Sequence, residues 1–185
     1  MTAKSISQFI LSHKQEKTRL YKKRKAEKMK ILVFSDSHGR DHYMREALKK
    51  HPDAEVAVFL GDGLADFLFL PKGNTAYLSV RGNCDWHPDY SFTPTVDSIT
   101  LMNKKIVFLH GHTHGVKSGL GAVKSLALDM SADILLFGHT HTPIEYYEDG
   151  IYYFNPGSIS GSGSAPTYGI ITLRENGILL SHGAL

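Results

Sequence analysis

The sequence predicts an α/β domain with a central sheet, helices outside it, and several antiparallel hairpins added. Three observations support this. Five short runs rich in Val, Ile, Leu and Phe read as buried strands, two longer segments between them have helical character, and the carboxyl-terminal third changes to paired strands around turn residues.

Taken in order, Met29 opens the stretch MKILVFSDSHG, and its run at 31–34 is the first clear strand; runs at 56–60, 76–80, 106–109 and 134–137 follow. Continuous apolar runs of this length suit strands covered on both faces, which have no solvent side to mark by alternation. Residues 41–50 read as a helix, and 120–130 as another with Gly119 and Gly121 at its start. Further on, 145–147 and 151–154 flank Glu148, Asp149 and Gly150, while 169–173 and 178–180 flank Glu175, Asn176 and Gly177, so both pairs read as hairpins. A third pair, 95–101 with 105–109, turns around Asn103. No internal repeat is visible.

A chain of 185 residues with 42% hydrophobic content suits one domain with a sizeable core and would crowd a second. No apolar run approaches the roughly 18 residues that span a bilayer, and the amino-terminal apolar patch (Ile6, Phe9, Ile10, Leu11) precedes the basic cluster, the reverse of a secretory signal. The expectation is a cytoplasmic protein with no membrane partner. One cysteine, Cys84, cannot form an internal disulfide and offers no sign of an oxidising compartment.

Charge divides the chain at residue 28. Residues 1–28 hold nine Lys or Arg against Glu16 and Glu27, a balance of +7, whereas the remainder has 12 basic against 16 acidic residues, a balance of −4. The pI near 8.9 therefore belongs to the tail and is no argument for a nucleic-acid face on the rest, although nucleic acid stays open as a partner. Residues 1–28 read as a solvated basic extension, an exposed helix or a disordered arm, and 29–185 as the domain. A chain start at Met29, leaving 1–28 outside the native protein, is the other reading.

The informative feature is what ends each apolar run. The first ends in Asp36, Ser37, His38; the second in Gly61, Asp62; the third in Gly82, Asn83; the fourth in His110; the fifth in Gly138, His139, Thr140, His141. In open α/β sheets ligands bind just outside the carboxyl ends of strands, so five separate termini would converge on one crevice. Each piece alone reads as turn chemistry, since Asp, Asn and Gly favour turns for their own reasons. Six of the 11 histidines fall at His38, in HGHTHG (His110, His112, His114) or in GHTH (His139, His141), and histidine is the commonest transition-metal ligand. Together the pieces predict a metal site.

The series DSH, GD, GNCD, HGH, GHTH resembles the motif set of the calcineurin-like metallophosphoesterase superfamily, and GNCD followed by NPGS resembles its YfcE-type phosphodiesterases. The resemblance covers about residues 29–185. It implies a two-sheet β-sandwich flanked by helices and a two-metal phosphoesterase that hydrolyses a phosphate ester, a phosphodiester first, by attack of a metal-bound hydroxide. Carried over by motif, Asp36, His38, Asp62 and His141 would hold one metal, and Asp62, Asn83, His110 and His139 the other, with Asp62 bridging. Manganese is the expected ion. The imidazole, carboxylate and amide donors also suit Zn, Fe, Co or Ni.

Charge is consistent with that assignment. Two divalent ions, two carboxylates and one bridging hydroxide leave about +1 to attract a phosphate, whereas the metal-free pocket would repel it. Metal-lowered water pKa would supply a nucleophile without a protein base.

Many superfamily members have His where this chain has Cys84, as the YfcE-type group does, so the leaving-group acid is open; His112 is the local substitute and is expected to act with Asn83 in catalysis. Cys84 and Asn155 are expected to contact substrate. HGHTHG also resembles metallo-β-lactamase-like hydrolases, but Thr113 stands where they have Asp, and Asp36, Asp62 and Asn83 would have no role. A catalytically silent protein-binding scaffold of the same fold, as in the retromer subunit, is the alternative from another class, and the filled ligand set argues against it. The expected partner is a phosphate-ester small molecule or a nucleotide. Assembly into a homo-oligomer is left open.

Overall fold

The computed structural model describes residues 27–71, 73–161 and 165–185. The expectation for the tail lies outside the described residues as far as residue 26. Two five-stranded mixed sheets face each other. The first has β1 (Lys28–Phe34), β2 (Val56–Phe59), β3 (Ala76–Ser79), β9 (Thr167–Arg174) and β10 (Gly177–Ala184), in the order β10-β9-β1-β2-β3. The second has β4 (Val96–Leu101), β5 (Lys104–Leu109), β6 (Ile134–Phe137), β7 (Pro143–Glu148) and β8 (Ile151–Pro156), in the order β4-β5-β6-β8-β7.

Four of the five apolar runs lie inside their sheets and the fifth, β3, at an edge, and all five are buried on both faces. Successive side chains of a strand point to opposite faces, and β1 shows the division: Ile31 and Val33 pack between the sheets, Leu32 and Phe34 on the outside. The inter-sheet layer joins them to Val56, Val58, Ile106, Phe108, Ile134, Leu136 and Phe154. Helices α1 (Asp41–Lys50) and α2 (Leu64–Leu68) cover the outer face of the first sheet through Met44, Ala47, Leu64 and Phe67, and α3 (Gly121–Asp129) covers the second through Val123 and Ala127.

The domain's first strand begins at Lys28, one residue before the expected boundary. Lys28 is paired with Arg174, and the Met29 side chain is buried in the inter-sheet core. The expected hairpins are present with longer strands. Met102 and Asn103 turn β4 into β5 with positive φ at both positions, and Asp149–Gly150 does the same between β7 and β8, the type I′ pattern that matches the twist of paired strands. Strands β1, β2 and β3 run parallel, as do β5, β6 and β8, so their carboxyl ends gather at one end of the sandwich.

Candidate metal centre

Backbone pairing continues past the strands and lines up the first two loops. Leu60 N–H donates to Phe34 O (2.8 Å), Asp36 N–H to Gly61 O (3.0 Å) and His38 N–H to Asp62 O (3.2 Å), so the two aspartates leave adjacent strands side by side. Five of the seven motif-derived ligands, Asp36, His38, Asp62, His139 and His141, have φ between 45° and 67°. That region is costly for any residue with a Cβ, and it persists only where the surroundings enforce it, a condition concentrated at functional sites.

The enforcing contacts are specific. Asp66 on α2 takes the Ser37 hydroxyl at 2.6 Å and the Gly39 N–H at 2.7 Å, holding the loop of His38. Ser158 donates its hydroxyl to Asp36 O (2.9 Å), and the His139 N–H donates to Asp36 Oδ2 (3.1 Å), which also accepts from Ser35. Gly82 passes so close to Asp62 that a Cβ there would overlap its carboxylate.

Two ligand groups result. Asp36, His38 and His141 have ligand atoms within 4.8 Å of one another, and so do Asp62, His110 and His139; Asp62 forms a third such group with His38 and Cys84, which places it between the first two. Asp36 Oδ1 is buried without a well-formed hydrogen bond, yet it lies 3.1 Å from His141 Nε2, 3.8 Å from His38 Nε2 and 3.9 Å from His110 Nε2. An orphaned carboxylate oxygen ringed by imidazole nitrogens fits a cation, whose ligands share one centre and need not point at each other. His110 is oriented the same way. Its Nδ1 donates to Leu60 O at 2.9 Å, leaving Nε2 as the free lone pair, 3.3 Å from Asp62 Oδ2 and 3.1 Å from His139 Nδ1.

Proton affinities follow from this crowding. Burial would raise Asp36 and Asp62, but His141 and His110 beside Asp36, and His110 beside Asp62, outweigh it and hold both below the ordinary carboxylate value. Burial would lower His110, but the Asp62 and Asp36 carboxylates raise it; His141 is raised by Asp36. Burial and His110 lower both His112 and His139. Both carboxylates are thus ionised and ready to ligate.

Residues 29–176 match the calcineurin-like phosphoesterase superfamily domain. The chain belongs to that superfamily. Its members bind divalent metals, which agrees with the donor groups above. The chain is 33% identical over 152 residues to the probable metallophosphoesterase YsnB of Bacillus subtilis, covering 80% of this chain and 86% of that one. It is 29% identical over 167 residues to the phosphodiesterase YfcE of Escherichia coli K12, covering 77% and 87%. The solved structure of Vacuolar Protein Sorting 29 from Cryptosporidium parvum shares the fold, with a TM-score of 0.71 at 18% identity over 86% of this chain and 100% of that one.

Around the ligand groups, the domain arranges the remaining sequence-derived residues differently from one another. Asn83 is exposed on the loop after β3, its amide nitrogen 3.4 Å from Cys84 Sγ. Cys84 donates its backbone N–H to Asp62 Oδ1 at 2.7 Å; burial and then the Asp62 carboxylate push its thiol up to about 11, so it stays protonated. His112 stands beside the second group, its ring centroid 5.3 Å from that of His110, and its Nδ1 is buried without a partner. His114 belongs to none of the three groups.

Asn155 is fully buried, although it was expected at the substrate. Its Nδ2 donates to Gly138 O and Thr140 Oγ1, both at 3.0 Å, and its Oδ1 accepts from Gly157 N at 2.9 Å, so the side chain positions the turn of His139 and His141 from beneath. The sequence reading missed Asp85. Its buried carboxylate accepts four backbone N–H groups, from Asp62, Gly63, Leu64 and Gly82, tying the second and third loops together. The only sequence signal was its place at the end of GNCD.

Proposed function

We propose that this domain holds two divalent metal ions and hydrolyses a phosphodiester. The observation that carries the proposal is the pair of ligand groups, Asp36/His38/His141 and Asp62/His110/His139, with Asp62 also grouped with His38 of the first. Asn83 would add an amide oxygen to the second group. Manganese is the proposed ion, with Zn, Fe, Co and Ni chemically compatible with the same donors. When bound, such a pair polarises phosphoryl oxygens and lowers the pKa of water to about 7.

The chain's own residues supply the rest. Ionised Asp36 and Asp62 and the Leu60-oriented His110 present lone pairs at the centre. His112, half-buried with an unpartnered Nδ1, is the group available to meet the leaving oxygen, and the protonated Cys84 thiol is a weak donor beside it. A diester is favoured over a monoester by similarity to the protein named phosphodiesterase YfcE. Among the described residues no helix is long and apolar enough to cross a membrane, and a cytoplasmic location is proposed with a small phosphate ester or nucleotide as substrate.

The test is turnover of bis(4-nitrophenyl) phosphate by metal-stripped protein before and after adding manganese. Activity should appear only with the ion, and equal turnover by stripped protein would refute the reading. The shared fold with Vacuolar Protein Sorting 29 favours the second reading, a silent protein-binding scaffold. That reading requires no turnover with any metal.

A further inference from the structure

We propose that Trp86 is the contact for the leaving group of the substrate, and that this group is an alcohol that carries a heteroaromatic ring of the nucleobase kind; the proposal rests on the phosphodiesterase reading above. Trp86 is 81% exposed, the most exposed of the large apolar side chains among the described residues. An indole left in water forgoes one of the largest burial gains open to any side chain, so its place on the molecule matters.

That place is two residues along the chain from the metal centre. Cys84, two residues earlier, is bonded through its N–H to Asp62 Oδ1 and belongs to a ligand group with Asp62 and His38. Consecutive Cα atoms are about 3.8 Å apart, so the Trp86 Cα lies within about 7.6 Å of the Cys84 Cα, a gap that an indole side chain can cover.

The backbone on either side of Trp86 is also held. Asp85, its immediate neighbour, is buried and fixed by four backbone hydrogen bonds. The far end of the loop is tied by Arg81 N–H to Pro94 O (2.9 Å) and by Thr93, which is buried. A short 3₁₀ turn at Pro88–Tyr90, capped by His87, lies between. Phe92 on the same loop is 65% exposed.

The chemistry of the site divides accordingly. Its floor is Asp, His, Asn and Cys, which serve the phosphate and offer little to an organic group. Ligand sites pair a few polar groups with aromatic or apolar lining, and here the exposed aromatics of this loop are the lining at hand. Stacking on an aromatic face suits any base, because every base has a π-face.

Trp86 is the single tryptophan of the 185-residue chain, so intrinsic fluorescence reads this residue alone. The manganese-loaded protein is titrated with adenosine 5′-monophosphate, ribose 5-phosphate and inorganic phosphate, following fluorescence and calorimetry together. Adenosine 5′-monophosphate should quench saturably and bind about tenfold tighter than ribose 5-phosphate, the gain expected from one stacked base. Trp86→Ala should remove that tenfold while affinity for inorganic phosphate holds, and Trp86→Phe should keep most of it. Equal binding of the nucleotide by wild type and Trp86→Ala, or binding without a fluorescence change, would overturn the proposal. Failure of inorganic phosphate itself to bind would remove the phosphoesterase reading beneath it.

Discussion

The Asp85 carboxylate accepts the backbone N–H of Asp62 at 2.8 Å, so the carboxylate that stands between the two ligand groups is aimed by a second one behind it. Asp85 Oδ2 also takes Gly82 N–H, while Oδ1 takes Gly63 and Leu64. Asp85→Asn keeps the shape but offers one acceptor oxygen, so two of these N–H groups would face an NH₂. Each buried donor left unpaired costs about 1–3 kcal/mol. The variant should melt lower and bind manganese about 10- to 100-fold more weakly, the usual cost of losing a group that orients a ligand. Wild-type metal affinity in a calorimetric titration would show the clamp to be idle.

The two ligand groups are not equivalent in what they share. Asp62 belongs to the second group and also forms a group with His38 of the first, whereas Asp36 belongs to the first alone and approaches the second only at His110, 3.9 Å away. Asp62→Ala should therefore lose both metals together, and Asp36→Ala should keep one near Asp62, His110 and His139. Metal analysis of the purified variants decides it. Two tightly bound ions on Asp62→Ala would place the bridge elsewhere.

How much of this could be read in the sequence follows from what sequence patterns record. A strand covered on both faces has to end where its side chains turn polar, so Asp36, Asp62, His110 and His139 stand out at the ends of apolar runs. Strand lengths are less visible. β10 runs through Ser181, His182 and Gly183 because it pairs with β9, and pairing leaves no mark on hydropathy. α2 has five residues, too few for a helical period, so the helix and the Asp66 that holds the His38 loop were hidden. Asp85 and Asn155 act through backbone groups distant in sequence, which residue type alone does not reveal.

Metal affinity should depend on pH through His110 and His141. Both have proton affinities raised above the ordinary 6.5, by Asp62 and Asp36 against burial for His110 and by Asp36 for His141. A protonated imidazole cannot ligate, so a raised value means that protons compete from above 6.5 downward. His112 and His139, both lowered, accept protons only below it. Manganese affinity should rise from about pH 6 to about pH 8, with protons released on binding. An affinity flat across that range would contradict the arrangement.

A chain beginning at Met29 should fold and keep its metals. Met29 is buried in the inter-sheet core, every ligand lies beyond it, and the cut removes only the Lys28–Arg174 pair from the described fold. Melting temperature within a few degrees of the full chain, together with unchanged metal content, is the expected result. A large fall in either would show that residues 1–28 contribute to the domain.

The last expectation separates Cys84 from His112, the two groups placed to meet a leaving oxygen. Cys84 stays protonated, its thiol pushed up to about 11 by burial and by Asp62, but sulfur is a weak donor and this one already faces a carboxylate. Cys84→Ser restores a hydroxyl in the same place and should change turnover little. His112 is lowered, by burial and by His110, so near neutral pH it is the neutral ring, able to donate one hydrogen bond but a poor source of a full proton. Its Nδ1 has no partner within the chain, so it has a hydrogen-bonding atom to spend on substrate. Removing a positioned acid or donor costs about 10²- to 10⁴-fold at most, and a neutral donor belongs at the low end. His112→Ala should therefore lose at least about tenfold in kcat with metal content unchanged. The loss should be larger for alkyl than for 4-nitrophenyl diesters, because a good leaving group needs less help. If Cys84→Ser abolishes turnover and His112→Ala does not, the thiol is the group in contact with the leaving oxygen.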